Sequence, residues 1–228
     1  MAPPLTPGRL VAKLATAILL LALALLVPAG TWRWPAAWAY VGLYLTFAVP
    51  VGIWLQRTNP ALLADREDWS KRAPKAWDRV LLGLLVPFFV AVYATAGLDF
   101  RFGWSDLPLP LRGACFALVG SFYVLLFFVL RENAFLSRVV EVHPEAGHRV
   151  VTTGPYAVVR HPMYAGYILW VLATPLALGS LPALAPAAVI AAGVVVRTVL
   201  EDRALRAELP GYAEYAERVR WRLLPGVF

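Results

Sequence analysis

Two shortages set the first limits on this chain. It has one cysteine in 228 residues, so no disulfide closes within it and no cysteine-built metal cluster forms. Cys115 instead falls inside an apolar run, as a small core residue would. Charge is the second shortage. Asp, Glu, Lys and Arg make up 15% of the residues, where a soluble domain carries about 25%. No internal repeat and no low-complexity linker is evident either, which leaves neither a solenoid nor a tethered array to consider.

What is present is apolar sequence, 60% of the chain, gathered in blocks long enough to cross a bilayer. Residues 14–27 form the core of a first span, extended back to Leu10 if Lys13 snorkels. Residues 34–55, 80–98 and 113–130 are three more. The run from Pro162 to Val196 holds 35 residues without a formal charge. One spanning helix needs about 20 residues, so this run is too long for one span and enough for two short ones. Gly179-Ser180-Leu181-Pro182 interrupts it with turn-forming residues and predicts a helical hairpin. The expected fold is an all-α integral membrane protein with about six membrane segments, the last two a hairpin, and a helical C-terminal tail. Residues 1–130 then hold four N-terminal transmembrane helices, and residues 131–228 form a catalytic region. Arg9 and Lys13 ahead of the first apolar core, with Val27-Pro28-Ala29 after it, also admit a signal peptide.

Charge placement agrees with an even number of spans. The N-terminus, the second and fourth loops and the tail carry 18 of the 21 Lys and Arg residues. Arg33, Arg101 and Arg112 fall on the other side. The positive-inside rule puts both termini in the cytoplasm. The net charge of +7 is therefore a topology signal, with attraction to anionic membrane lipids, and argues against a nucleic-acid partner. Arginine outnumbers lysine 18 to three, which with abundant alanine suggests a prokaryotic inner-membrane protein. The oligomeric state is not legible.

The polar chemistry gathers in two pieces that flank the hairpin on one side. Before it, Thr152-Thr153-Gly154-Pro155 is turn chemistry, and Val150-Val151 can lie extended and offer backbone groups to a ligand. Pro162 suits the first turn of a helix, with His161 at the cap and Tyr164 one turn in. A helix N-terminus has unbonded N–H groups and partial positive charge, and so suits a carboxylate such as that of an amino-acid-like cofactor. The plainer alternative is that Arg160 and His161 anchor the chain at the interface. After the hairpin, Arg197 and Glu201 are spaced i and i+4 on one helical face. They are either a salt bridge of about 0.3–0.5 kcal/mol or a pair that grips and orients a polar acceptor. The tail reads as helix to about Leu209, breaks at Pro210-Gly211 and resumes through about Arg222. Glu208, Glu214 and Glu217 read as a solvated face.

These motifs bring a resemblance with them. Residues 148–156 (His148-Arg149-Val150-Val151-Thr152-Thr153-Gly154-Pro155-Tyr156), Arg160-His161-Pro162-Met163-Tyr164-Ala165-Gly166, Arg197-x3-Glu201-Asp202-x2-Leu205 and Gly211-Tyr212-x2-Tyr215 are similar to the isoprenylcysteine carboxyl methyltransferase family, within the wider phospholipid methyltransferase-like group. The likeness covers about the last 85 residues, from Glu141 to Pro225. It implies a membrane enzyme that uses S-adenosyl-L-methionine, held between the loop before the hairpin and the tail. Carried over by position, the cofactor contacts fall on His148, Arg149, Val150, Val151, Tyr156, His161, Pro162, Met163 and Tyr164. A further contact, commonly an amide side chain, aligns with Glu141, where a carboxylate departs from the pattern. Arg197 and Glu201 take the acceptor side, and Arg160 is counted with them as a candidate catalytic residue. Asp202 stands where the family has a second Glu.

The activity implied is methyl transfer to a lipid-like or isoprenoid-bearing acceptor drawn from the bilayer, with its carboxylate as the favoured nucleophile. Phospholipid N-methylation and thiol S-methylation belong to the same group. An NADPH-dependent membrane reductase of sterols or isoprenoids shares an Arg-His-Pro-x-Tyr-x-Gly segment but usually has an acidic residue next, where this chain has Tyr167. A small transporter is disfavoured because the spans as read hold no carboxylate or basic residue of the kind that marks an ion path.

Overall fold

Prolines set where several helices begin. Pro7 opens α1 (Pro7–Ala29), Pro35 opens α2 (Pro35–Thr58), Pro110 lies in the first turn of α4 (Leu109–Glu132) and Pro162 opens α5 (Pro162–Leu178). Proline lacks an N–H, and the first turn is where that costs nothing. Between them lies α3 (Ala76–Phe102), and after them come α6 (Leu184–Glu208) and α7 (Tyr212–Arg218). A 3₁₀ turn at Gly154–Ala157 precedes α5. This is a computed structural model, and it describes residues 6–60, 62–63, 75–133, 136 and 150–228.

The expected architecture is borne out. Helices α1, α2, α3, α4 and α6 are each long and apolar enough to cross a membrane, and α5 is a shorter apolar helix of 17 residues. Among the described residues there is no strand. The chain is thus an all-α integral membrane protein. The hairpin turns where the sequence places it: Gly179 ends α5 at φ 91°, a left-handed conformation that glycine adopts without a steric cost.

Packing follows the chain in a loop. α1 lies against α2 and α3, α3 against α6, α6 against α5, and α5 against α4. α1 is part of the core: Leu25 is fully buried, and Gly97 of α3 brings that helix against it so closely that a Cβ there would stand 2.5 Å from the Leu25 carbonyl oxygen. Other faces point outward. Leu20, Val86 and Val124 are exposed apolar residues on helices of spanning length, as lipid-facing positions are.

The spanning helices run past the apolar runs that mark them, and two differences in extent bear on the site. α3 runs beyond 80–98 at both ends and takes in Asp78 and Asp99, both buried. Asp99 accepts from the backbone N–H and hydroxyl of Ser105. The tail helix stops at Arg218 instead of about Arg222. Val219 leaves the helical conformation at φ −101° and ψ 89°, and the chain beyond docks on the loop before α5: the carbonyls of Val219 and Arg220 accept from the Arg160 guanidinium, and those of Trp221 and Arg222 from the backbone N–H groups of Arg160 and His161.

Candidate active site

The site is built where α5 begins and α6 ends. Pro162 occupies the first helical position and His161 the cap, with no side-chain hydrogen bond closing the cap. The first-turn N–H groups of Met163 and Tyr164 therefore have no acceptor within the helix. Arg160 N donates to Trp221 O and His161 N to Arg222 O, each at 2.9 Å. These two bonds clamp the loop before the hairpin to the segment after α7.

Asp202 holds that junction together. It is fully buried, and its carboxylate accepts from Arg160 Nε at 2.7 Å and Nη2 at 3.0 Å. Tyr212 donates its hydroxyl at 3.0 Å. His161 Nε2 lies 3.3 Å from the same oxygen, and since a carboxylate only accepts, that nitrogen carries the proton. Arg206 and Arg222 add their Nε atoms. Burial alone would lower Arg160, but the hydrogen bonds and charge of Asp202 outweigh it and raise the guanidinium. Burial pushes the Tyr212 phenol up, and the Asp202 charge pushes the same way.

One turn into α5 lies a second cluster. Tyr164 donates its hydroxyl to Glu201 at 2.6 Å. His161 Nδ1 faces the other Glu201 oxygen at 3.9 Å, and the rings of His161 and Tyr164 stack. Arg197 lies over the Tyr164 ring with 5.3 Å to its centroid, within cation–π range. Arg197 spends Nε and Nη2 on Asp78 of α3, at 2.8 and 3.1 Å. The i and i+4 spacing of Arg197 and Glu201 does put both beside Tyr164, but each has a partner outside its own helix. Glu201 is the more open of the two, with 20% of its side chain exposed.

The remaining expected contacts are placed as follows. Tyr156 is buried in the 3₁₀ turn; its hydroxyl accepts from Asn133 Nδ2 and its carbonyl from Tyr215. Val150 and Val151 are in irregular chain leading to that turn, and Val150 packs on the α7 cluster of Leu209, Tyr212, Tyr215 and Ala216. Met163 is half-buried beside Tyr164. Glu141, His148 and Arg149 lie outside the described residues. Of Glu208, Glu214 and Glu217, read as solvated, Glu208 forms an ion pair with Lys75.

Sequence reading missed Asp78 and understated Asp202. Asp78 opens an apolar run, where an acidic residue reads as helix-dipole decoration; only its burial shows otherwise. Asp202 had a signal, since it sits four residues from Arg206 and next to Glu201. Its partners in the loop and tail are 41, 42 and 20 residues away and invisible to local spacing.

Comparison with known proteins gives likenesses of sequence and of fold. Residues 113–207 match the family model of the isoprenylcysteine carboxyl methyltransferase (ICMT) family, so the resemblance seen in the motifs is borne out over that segment. Protein-S-isoprenylcysteine O-methyltransferase B of Arabidopsis thaliana is 30% identical over 108 residues, 44% of this chain and 55% of that protein. The cobalt-zinc-cadmium resistance protein CzcN of Cupriavidus metallidurans is 34% identical over 119 residues, 49% of this chain and 46% of that protein. The chain thus spans about half the length of these curated relatives. A solved structure of a eukaryotic intramembrane Ras methyltransferase, an isoprenylcysteine carboxyl methyltransferase, superposes with a TM-score of 0.52 at 17% identity, over 96% of this chain and 77% of that one. That likeness is one of fold.

Proposed function

We propose that this protein is an S-adenosyl-L-methionine-dependent methyltransferase that modifies the carboxylate of a lipid-like or isoprenoid-bearing acceptor, at the inner face of a prokaryotic membrane. The observation that carries the reading is the meeting of Tyr164, Glu201 and Arg197 beside the open N-terminus of α5. Residues 131–228 supply most of this region, and Asp78 adds to it from the N-terminal half.

The residues present suit such a donor. The unbonded N–H groups of Met163 and Tyr164 fit an amino-acid carboxylate. Glu201, with one phenol bonded and part of its side chain open, fits a cation, whether ammonium or sulfonium. Val150, Val151 and Tyr156 lie on the loop that would close over it. When bound, S-adenosyl-L-methionine supplies a methyl group made electrophilic by a sulfonium charge.

The chain's own residues then have three tasks. Arg197, held by Asp78 and lying over the Tyr164 ring, keeps a fixed positive charge beside Glu201 toward which an anionic acceptor is drawn. A rigid cation orients the nucleophile without wrapping it, and alignment is a large part of the barrier in transfers between two bound groups. The apolar cluster below, with Val171, Ile190 and Val194 around Tyr164, keeps water low and so favours a step in which opposite charges vanish. Arg160 touches neither partner in this scheme; its donors are committed to Asp202, Val219 and Arg220, and it positions His161 and the tail.

The greater openness of Glu201 favours one second reading. An amine or thiol acceptor must lose a proton, and Glu201 is the group able to take it. Incubating purified protein with isotopically labelled donor and membrane lipid extract, followed by mass spectrometry, separates the cases. A product that gains one methyl and loses it to mild base is an ester. A base-stable methyl indicates nitrogen or sulfur. No labelled product, together with no binding of S-adenosylhomocysteine, sinks the proposal.

A further inference from the structure

Asp202 carries one negative charge and faces three guanidinium groups. Its Oδ2 accepts from Arg160 Nη2 at 3.0 Å, from Arg222 Nε at 3.1 Å and from Arg206 Nε at 3.3 Å. Arg160 is buried, and its Nη1 is used by the carbonyls of Val219 and Arg220. Arg206 and Arg222 are different. Their side chains are 43% and 32% exposed. Among the described residues neither side chain has a hydrogen bond or ion pair beyond the shared carboxylate, and their terminal Nη atoms carry none; Arg222 additionally lies over the Phe228 ring. The next carboxylate along α6, Glu201, lies on an adjoining face and is engaged by Tyr164. Positive charge is therefore in surplus at this spot, on two forks anchored to a single oxygen.

Depth in the membrane tells what would offset it. α6 starts at Leu184 beside the hairpin turn. A hydrocarbon core of about 30 Å takes about 20 helical residues, which ends near Ala204. Arg206 then stands about 3 Å farther on, at the level of lipid headgroups. Guanidinium forks match phosphate oxygens in pairs, and Arg holds its charge at any physiological pH.

We propose that Arg206 and Arg222, held side by side by Asp202, form an oxyanion site for a phosphate group at the membrane surface. S-adenosyl-L-methionine carries no phosphate, and its carboxylate is assigned to the N–H groups of Met163 and Tyr164, so the phosphate is a second ligand. The phosphate belongs either to an anionic lipid headgroup or to a soluble phosphate compound. The inference rests on the ion cluster and the helix depth and stands whether or not methyl transfer is the activity.

The test uses the full chain in dodecyl maltoside micelles, which contain no phosphate. Its thermal midpoint is followed while phosphatidylglycerol, phosphatidylcholine or inorganic phosphate is added, in wild type and in an Arg206→Gln/Arg222→Gln variant. The expected result is an upward shift of several degrees with phosphatidylglycerol, smaller with phosphatidylcholine, and lost in the variant. Native mass spectrometry should show phosphatidylglycerol retained several-fold over phosphatidylcholine by wild type only. An equal shift with inorganic phosphate, lost in the variant, keeps the site and assigns it to a soluble ligand. No shift with any of the three, or a shift undiminished in the variant, overturns it. If the double variant does not fold, Arg206→Gln alone is read instead; a full wild-type shift there counts against the site.

Discussion

Asp78 and Arg197 are 119 residues apart in sequence and meet as a two-pronged ion pair on α3 and α6. Asp78 is fully buried and Arg197 nearly so. The carboxylate sits in the first turn of α3, where the helix dipole favours a negative charge. It lies outside the segment that matches the methyltransferase family, yet it fixes the guanidinium of that segment's Arg-x3-Glu motif. The N-terminal helices are therefore more than a wall around the hairpin.

Breaking that pair on one side should cost far more than replacing it whole. Asp78→Ala removes the carboxylate that Arg197 bonds with Nε and Nη2 and leaves the buried charge uncompensated by it, a loss of about 3–5 kcal/mol. Asp78→Leu combined with Arg197→Leu removes both charges and should recover most of the thermal midpoint while leaving no methyl transfer. Thermal unfolding of the detergent-extracted protein and turnover measured together would check this. A double variant with wild-type turnover would remove Arg197 from the acceptor side.

Tyr164→Phe deletes the hydroxyl that Glu201 accepts at 2.6 Å and keeps the ring under Arg197. A hydrogen bond to a charged group contributes about 1.5–3 kcal/mol. If the transition state uses it in full, turnover falls about 10- to 100-fold. S-adenosylhomocysteine affinity should change much less, because the backbone N–H groups of α5 stay in place. Equal losses in binding and turnover would make Tyr164 a binding group only.

How far the sequence led depends on the distance over which each interaction acts. The helices were legible because apolar runs, first-turn prolines and turn glycines are local signals. Pro162, the Gly179 turn and the convergence of Tyr164 with Glu201 follow from such signals and from the motifs. The pairing of Arg197 with Asp78 does not, since helical spacing offered Glu201 as its nearer partner. The early end of α7 was likewise hidden: residues 219–222 can continue a helix by composition, and their docking on Arg160 and His161 is a contact across about 60 residues of sequence.

Gly97 and Gly166 give a graded test of the packing. A Cβ at Gly97 would meet backbone, the Leu25 oxygen at 2.5 Å and the Ala29 nitrogen at 3.0 Å. A Cβ at Gly166 would meet side-chain ends, Leu125 at 2.6 Å and Phe122 at 2.9 Å, which can turn aside. Gly97→Ala should therefore separate α1 from α3 and cost more than the 1–3 kcal/mol typical of overpacking, about which Gly166→Ala should fall. Thermal midpoints of the two variants compare them. The reverse order would mean that α1 is not seated as described.

Arg160→Lys is the sharpest probe of the junction. Lysine keeps the positive charge beside Asp202 but lacks the planar fork that bonds both carboxylate oxygens and two carbonyls at once. At least the Val219 and Arg220 carbonyls should lose a donor, and the chain beyond α7 should loosen from the loop before α5. Hydrogen exchange read over residues 219–228 should speed up by about 10-fold or more if about 1.4 kcal/mol of local protection goes. Exchange in α2 should not change, since α2 lies away from the junction. Donor binding should weaken along with the tail, because Arg160 acts by holding His161 and the tail in place. Fast exchange with unchanged donor affinity would show that the tail is not part of the donor's enclosure.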